Sequence, residues 1–353
     1  MQDIRFQTPK GERRIGKGFP TFIIAEISGN HQQEKEKAFR LIDAAAEAGV
    51  DAVKLQTYTP DTLTIDCENE YFQVRVNDAW KGQTLYRLYQ SAFTPWEWQA
   101  EMKAYGEQKG LTVFSTPFDE TAVDFLETLE VPLYKVASFE SGDLELLKRI
   151  GSTGKPVIMS RGLTPLDDVR AALDVLRDAG VSGVAVLHCV SSYPAEPSQM
   201  NLATIPDLER QLGAVVGLSD HTLGTTTAVA AVALGASIVE KHFTLRRSDG
   251  GPDAAFSLEP EEMKGLVRAI RETEAAIGVP TYSAGPKEAE NLVFRRSLFV
   301  VSDIAEGEAF SRENVRCIRP GYGLPPKELP DVLGKRARRN IERGTPLSWE
   351  LII

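Results

Sequence analysis

Short apolar runs in this chain end, one after another, in side chains that bind, titrate or ligate. In order these are Glu26, with Asn30 and His31 just beyond; Lys54 and Gln56; Ser115 and Thr116; Lys135 and Ser138; Ser160; His188; Ser219, Asp220 and His221; Glu240 and His242. One polar strand end is an ordinary cap. Eight in series point to a site assembled from many segments. His221 and His242 follow the seventh and eighth runs, and two imidazoles on neighbouring elements can ligate a divalent ion whose shell water and substrate oxygens complete. Singly, either histidine reads as a hydrogen-bonded structural residue; together, with Glu240 two residues from His242, they favour metal. His188, inside its run, reads as structural, and His31 fits either role. Lys54 and Lys135 are either Schiff-base nucleophiles or cationic clamps for phosphate and carboxylate, and their neighbours leave both open. The hydroxyls of Ser115, Thr116, Ser138 and Ser160, with Gly162, favour a phosphorylated carboxylate as ligand. Neither G-x-x-x-x-G-K-[ST] nor G-x-G-x-x-G occurs, which argues against nucleotide binding.

The elements that must position these groups follow from periodicity. Apolar, β-branched runs at 21–26, 52–56, 112–116, 133–136, 157–160, 184–189, 214–218 and 237–242 alternate with segments of helical period. Ala38, Leu41, Ile42 and Ala45 share one helix face, with Gly49 as the stop; Val169, Ala172, Leu173 and Leu176 share another, which Gly180 ends. Thr94-Pro95 marks a helix start after a long insertion. Eight β-α units over about 260 residues predict a (β/α)8 TIM barrel, whose active sites lie at the C-terminal ends of the strands. An open doubly wound sheet is the main competitor, and the count of eight favours the barrel. Past Ile277 the rhythm changes. Residues 280–286 read as a linker, 297–302 as a strand and 319–326 as a rigid glycine-proline loop. The expected organisation is a barrel over 1–282 and a small, mostly β domain over 283–353.

Composition narrows the class. The chain has 353 residues, 42% hydrophobic and 25% charged, the mix of a soluble globular protein. A net charge of −10 argues against general nucleic-acid binding. Residues 283–353 carry 12 Lys+Arg and 10 Asp+Glu, leaving 28 and 40 for the rest, so a slightly cationic tail accompanies an acidic body. Cys67, Cys189 and Cys317 are far apart and show no metal or redox spacing. With no run of 18 apolar residues and no apolar signal core in the first ten, the expectation is a cytoplasmic protein outside the membrane.

Ala25-Glu-Ile-Ser-Gly-Asn-His31, Lys54-Leu-Gln-Thr57, Phe114-Ser-Thr-Pro-Phe118, Gly217-Leu-Ser-Asp-His221, Glu240-Lys-His-Phe-Thr244 and Gly251-Pro-Asp253 resemble the sialic acid synthases, in the expected order over nearly the whole chain. The tail resembles their antifreeze-like (β-clip) C-terminal domain. Four loops resemble the pseudaminic branch of that family: residues 54–62, Thr94-Pro-Trp-Glu-Trp98, His188-Cys-Val-Ser-Ser-Tyr-Pro194 and Arg247-Ser-Asp-Gly-Gly-Pro-Asp253. Ser191 stands where N-acetylneuraminate synthases usually have Asn, which fits that branch.

The resemblance implies a metal-dependent transferase. It would condense phosphoenolpyruvate with 2,4-diacetamido-2,4,6-trideoxy-L-altrose and water, giving pseudaminic acid and phosphate by C–O cleavage. It implies Mn2+ or Mg2+ on His221 and His242, with Glu26, Lys54, Lys135 and Glu240 catalytic. It implies phosphoenolpyruvate on Lys54, Thr116, Lys135, Ser138, Ser160, Ser191 and Tyr193, with Ser219 also among the binding residues. Gln56, Asn69, Asp253 and Arg319 would hold the sugar. Arg319 and Phe294 would come from the other subunit of a domain-swapped homodimer. The rival expectations are an N-acetylneuraminate or legionaminate synthase, a Schiff-base aldolase, and a non-catalytic carbohydrate-binding protein.

Overall fold

The computed structural model describes residues 3–75 and 80–353. The chain divides into two compact units, Met1–Gly278 and Val279–Ile353. The break falls four residues before the one expected at 282, because the proline-bounded stretch 280–286 groups with the second unit.

The first unit is a closed barrel of eight parallel strands: β3 (Phe22–Glu26), β4 (Ala52–Thr57), β5 (Thr112–Pro117), β6 (Tyr134–Val136), β7 (Val157–Ser160), β8 (Val184–Cys189), β9 (Val215–Asp220) and β10 (Ile238–His242). β10 pairs back onto β3, with His242 opposite Glu26. Each of the eight runs predicted from sequence is one of these strands. The helices that follow them include α1 (Lys35–Ala48), α2 (Pro60–Leu63), α3 (Leu85–Ala92), α4 (Trp96–Gln108), α5 (Glu120–Thr128), α6 (Leu144–Gly151), α7 (Leu166–Ala179), α8 (Thr204–Leu212), α9 (Thr226–Ala233) and α10 (Pro260–Ile277). α1 and α7 stop at Gly49 and Gly180, both left-handed, as their sequences predict.

Side chains alternate across each strand, so outward residues meet the helices and inward residues fill the barrel. Ile23, Ala25, Val53, Leu55, Val113 and Val239 pack outward against α1 and α10, with Leu41, Ile42, Leu266 and Ile270. The inward residues change character along the strands. At the N-terminal end Phe22, Ile24, Ala52, Phe114, Ile158, Leu187, Val215 and Ile238 form a dry floor. At the C-terminal end the same rows continue as Glu26, Lys54, Thr116, Ser160, Ser219 and Glu240. Gly217 lies where the floor is tightest: a Cβ there would meet the Ile238 carbonyl oxygen at 2.6 Å.

The largest element that escaped sequence reading lies at the start of the chain. A two-stranded hairpin, β1 (Ile4–Thr8) and β2 (Gly11–Ile15), precedes the barrel. Its Ile4, Phe6 and Ile15 join the barrel floor and cover the N-terminal mouth. Three apolar residues among many charged ones leave too faint an alternation to mark it.

The second unit holds an antiparallel pair, β11 (Ser297–Val300) and β12 (Val315–Ile318), and two one-turn helices, α11 (Pro286–Ala289) and α12 (Leu329–Val332). Isolated bridges such as Phe299 to Pro346 and Ile304 to Ile341 extend the β character. Its own core is Leu298, Val300, Ile304, Phe310, Val315, Val332, Ile341 and Leu347.

Candidate active site

A cavity of about 470 Å³ opens at the C-terminal end of the barrel. Its floor is a buried cluster of charge. Lys54 Nζ pairs with Glu26, lies 3.7 Å from Glu240 and donates to Thr116 Oγ1 at 3.1 Å. Lys135 Nζ donates to Ser160 Oγ at 2.7 Å and to the Val136 carbonyl at 3.0 Å, and lies 3.8 Å from Glu240. Ser219 Oγ donates to Glu240 at 3.3 Å. Two ammonium groups thus share two carboxylates in a water-poor space, where such interactions are strong.

That sharing splits the two carboxylates. Burial pushes the Glu26 carboxyl up, Lys54 opposes, Glu240 adds to the push, and the group rests at about 7. Burial also works against ionised Glu240, but Lys135 and Lys54 together hold it below the ordinary carboxylate range. Glu240 is therefore the resident anion and Glu26 the carboxyl that can exchange a proton near neutral pH. Burial pulls the Lys54 ammonium down, yet Glu240 and Glu26 more than restore it. Burial leaves Lys135 below its usual value.

A hydroxyl cradle adjoins Lys135. Ser138 Oγ and Ser191 Oγ lie 2.9 Å apart, and Gly162, at φ +43°, sits so close that a Cβ would meet Ser191 Oγ at 2.8 Å. Glycine is needed there both for the left-handed backbone and for the close approach. Two hydroxyls and a bare backbone beside a buried lysine suit a phosphate.

His221 and His242 face the cavity with ring centroids 5.4 Å apart. His221 Nδ1 lies 2.9 Å from the Val190 carbonyl, an arrangement in which Nδ1–H donates and Nε2 keeps its lone pair. His242 Nδ1 is buried without a hydrogen-bond partner and lies 3.7 Å from Asp253. Burial, then His221 and Lys54, keep the His242 imidazole neutral, the form that ligates. Burial works against a charged His221, but Cys189, 3.9 Å from its Nδ1, and the Val190 carbonyl raise it, so a divalent ion on the pair would take the place of a proton at His221 Nε2. Among the described residues no set of three His, Cys, Asp or Glu side chains is arranged to hold one, so further ligands would be water or substrate oxygens. Tyr193 and Phe256 pack around the two rings, Tyr193 at 4.4 Å from His221 and Phe256 at 5.0 Å from His242.

Asp220 and Lys241 alternate with these residues and so face away from the cavity. They form a fully buried pair at 2.8 Å. Asp220 also accepts from the Thr222 amide at 2.9 Å, Thr222 Oγ1 at 2.8 Å and Thr227 Oγ1 at 2.9 Å, while Lys241 donates to the Thr222 carbonyl at 2.5 Å. The pair ties the backbone on both sides of His221 to the residue before His242. Removing one partner strands a buried charge. Asp220→Ala is expected to destabilise the barrel by roughly 3–5 kcal/mol, more than Lys241→Met, because Asp220 keeps three other donors and Lys241 keeps one acceptor. Urea unfolding of the two variants checks the order.

Most of the expected site residues converge. Lys54, Gln56, Lys135, Ser138, Ser160, Tyr193, Ser219, His221, Glu240, His242 and Asp253 line the cavity, and Glu26, Thr116 and Ser191 bond directly to lining residues. Asn69 is not brought there: it is exposed, and its side chain caps a short turn by accepting from the Tyr71 amide at 3.0 Å. Phe294 and Arg319 belong to the second unit, where both are exposed. Their loops are tied together by the Gly321 amide donating to Val293 at 2.9 Å and Ser297 Oγ donating to Pro320 at 2.6 Å. His188 points outward and bonds the Met200 carbonyl at 2.5 Å. His31 is buried between Thr94 Oγ1 at 3.0 Å and the Gln33 amide at 3.1 Å, and burial, then Lys37, holds it neutral to about 4.

Glu140 and Trp80 are among the lining residues that had not been singled out. Glu140, raised to about 7 by burial, leaves one buried carboxylate oxygen without a partner. Its signal was its place two residues beyond Ser138. Trp80, from the insertion after β4, donates to the Pro252 carbonyl at 2.7 Å and roofs the cavity beside Tyr193. Nothing in the local sequence marks it.

The chain is similar to known proteins over nearly its whole length. Residues 41–282 match the NeuB family and residues 295–353 the SAF domain. The chain is 40% identical to the pseudaminic acid synthase of Campylobacter jejuni over 92% of its length and 95% of the relative's. It is 35% identical to the N,N'-diacetyllegionaminic acid synthase of Legionella pneumophila over 97% of both chains. Among solved structures, the spore coat polysaccharide biosynthesis protein SpsE of Bacillus subtilis superposes with a TM-score of 0.66 at 36% identity, over 99% of both chains.

Proposed function

We propose that this chain, which belongs to the NeuB family, is a pseudaminic acid synthase: it condenses phosphoenolpyruvate with 2,4-diacetamido-2,4,6-trideoxy-L-altrose and water, releasing phosphate. The observation that carries the reading is the paired-lysine, paired-carboxylate floor beside the Ser138–Ser191 cradle and the two imidazoles. It offers a place for each charge the reaction brings or makes.

Lys135, Ser160, Ser138 and Ser191 bind the phosphate and carboxylate of phosphoenolpyruvate, and Lys54 with Thr116 neutralises the rest of the anion. Gln56, Asp253 and Glu140 orient the sugar so that its aldehyde carbon faces C3 of phosphoenolpyruvate. His221 and His242 would hold Mn2+ or Mg2+, whose chemistry when bound is to polarise the aldehyde oxygen. C3 attacks the aldehyde carbon, and positive charge develops at C2. Glu240, ionised between two lysines, stabilises that charge. Glu26 accepts the proton of the water that adds to C2. Glu26 passes that proton to the alkoxide oxygen of the former aldehyde, and the C–O bond to phosphate breaks as the C2 hydroxyl gives its proton to the departing phosphate, which leaves the keto acid.

A panel of sugars tests the reading. With phosphoenolpyruvate and Mn2+, kcat/KM is expected to be highest for the diacetamido altrose, and released phosphate should match product formed. A higher kcat/KM for N-acetylmannosamine or for the legionaminic precursor would replace the assigned sugar. Borohydride treatment during turnover addresses the aldolase alternative: a trapped adduct on Lys54 or Lys135 would assign them to imine chemistry instead.

A further inference from the structure

The turn that leaves β3 carries two unfavourable features at one residue. Ser28, fully buried, holds φ at +38°, a left-handed value that strains a residue with a side chain. Its hydroxyl is buried without a hydrogen-bond partner, which is unfavourable as well. A glycine would make this turn with neither. A glycine amide would also serve Glu26, as the Ser28 amide does by donating to Oε1 at 3.0 Å. The hydroxyl is therefore the part of Ser28 for which the turn itself has no use.

The same turn grips the segment that carries Asp253, a residue of the cavity lining. Gly29 lies so close that a Cβ would meet Pro252 Cγ at 2.9 Å and the Ala92 carbonyl oxygen at 2.8 Å. Asn30 Nδ2 donates to Ser257 Oγ and to the Phe243 carbonyl, both at 2.9 Å, and Ser257 Oγ donates to the Asp253 carbonyl at 2.7 Å. Asn30 thus fixes the backbone of Asp253. Burial raises the Asp253 carboxyl, and the Ser28 hydroxyl beside it pulls the other way, as a donor to the anion does. We infer that Ser28 is a positioning residue for the sugar: its hydroxyl donates to the Asp253 carboxylate in the substrate complex and leaves the second oxygen to accept from the sugar. One residue then sets two carboxylates, Glu26 through its amide and Asp253 through its hydroxyl. The inference rests on the proposed function for the role of Asp253, though not for which sugar is bound.

The test uses the full-length protein with Mn2+, phosphoenolpyruvate and whichever sugar of the panel gives the highest kcat/KM. Ser28→Gly is expected to raise KM for the sugar about tenfold, as loss of a hydrogen bond to a charged group does, with kcat and KM for phosphoenolpyruvate nearly unchanged. A turn that only held the barrel together would not split the constants in this way. The melting temperature should stay level or rise, because glycine relieves the left-handed strain. Ser28→Ala keeps the strain, loses the hydroxyl and should show the same rise in KM. The deciding measurement combines Ser28→Gly with Asp253→Asn. Because the hydroxyl acts through Asp253, the double variant should match Asp253→Asn alone. A wild-type KM for the sugar in Ser28→Gly, or two effects that multiply in the double variant, overturns the inference. If the best sugar is not the diacetamido altrose while the double variant still matches Asp253→Asn, the pseudaminic assignment fails and the role of Ser28 stands.

Discussion

His221→Ala and His242→Ala are each expected to lower turnover on the order of 10³-fold or more, with the barrel still folded. Both imidazoles face the cavity rather than the helices, and His242 Nδ1 has no hydrogen-bond partner to lose. His221 gives up one bond to the Val190 carbonyl, worth about 1 kcal/mol. The residues assigned to phosphoenolpyruvate are untouched, so its binding should persist. The measurement is Mn2+ affinity by electron paramagnetic resonance beside single-turnover kinetics. Weakened Mn2+ binding with normal phosphoenolpyruvate binding is the expected result. Wild-type activity in either variant at limiting metal, or full activity of the wild type after exhaustive chelation, would sink the metal assignment.

Mixing two inactive variants, Arg319→Ala and His221→Ala, is expected to restore activity once subunits exchange. Arg319 is exposed on a loop that glycine holds against the strand: a Cβ on Gly321 would meet the Leu292 carbonyl at 2.5 Å, and one on Gly323 would collide with that of Leu298. A side chain presented from so rigid a loop loses little entropy on binding, and a guanidinium fork suits an amide carbonyl or sugar oxygens. Phe294, 61% exposed, belongs to the same tied pair of loops and offers an apolar companion. If Arg319 serves the barrel of the other subunit in a homodimer, one site of each heterodimer has both residues. Statistical exchange then returns about a quarter of wild-type activity. Arg319→Ala alone should leave the melting temperature nearly unchanged, since the residue is outside the core of its unit. A mixture that stays inactive, with exchange confirmed by mass spectrometry, would show that Arg319 does not act in trans.

Much of this protein was legible in the sequence because burial in a parallel barrel leaves a plain trace. Strands covered on both faces read as apolar runs, and helices between them as one-sided stripes closed by Gly49 and Gly180. The place where each run turns polar marks the catalytic end, so Glu26, Lys54, Lys135, His221, Glu240 and His242 could be named as a group before their distances were known.

What only the tertiary structure decided was direction and company. Ser219, Asp220 and His221 look alike in sequence, yet alternation sends Asp220 into a buried pair with Lys241 while its neighbours enter the cavity. Glu26 and Glu240 are two carboxylates in sequence; in the folded barrel burial raises Glu26 to about 7, while Lys135 and Lys54 hold Glu240 below the ordinary carboxylate range against its burial. The hairpin at the barrel floor and the Trp80 roof are set by contacts between segments far apart in the chain. Local periodicity records which side of an element is buried; it does not record what that side is buried against, and at this site the chemistry depends on the latter.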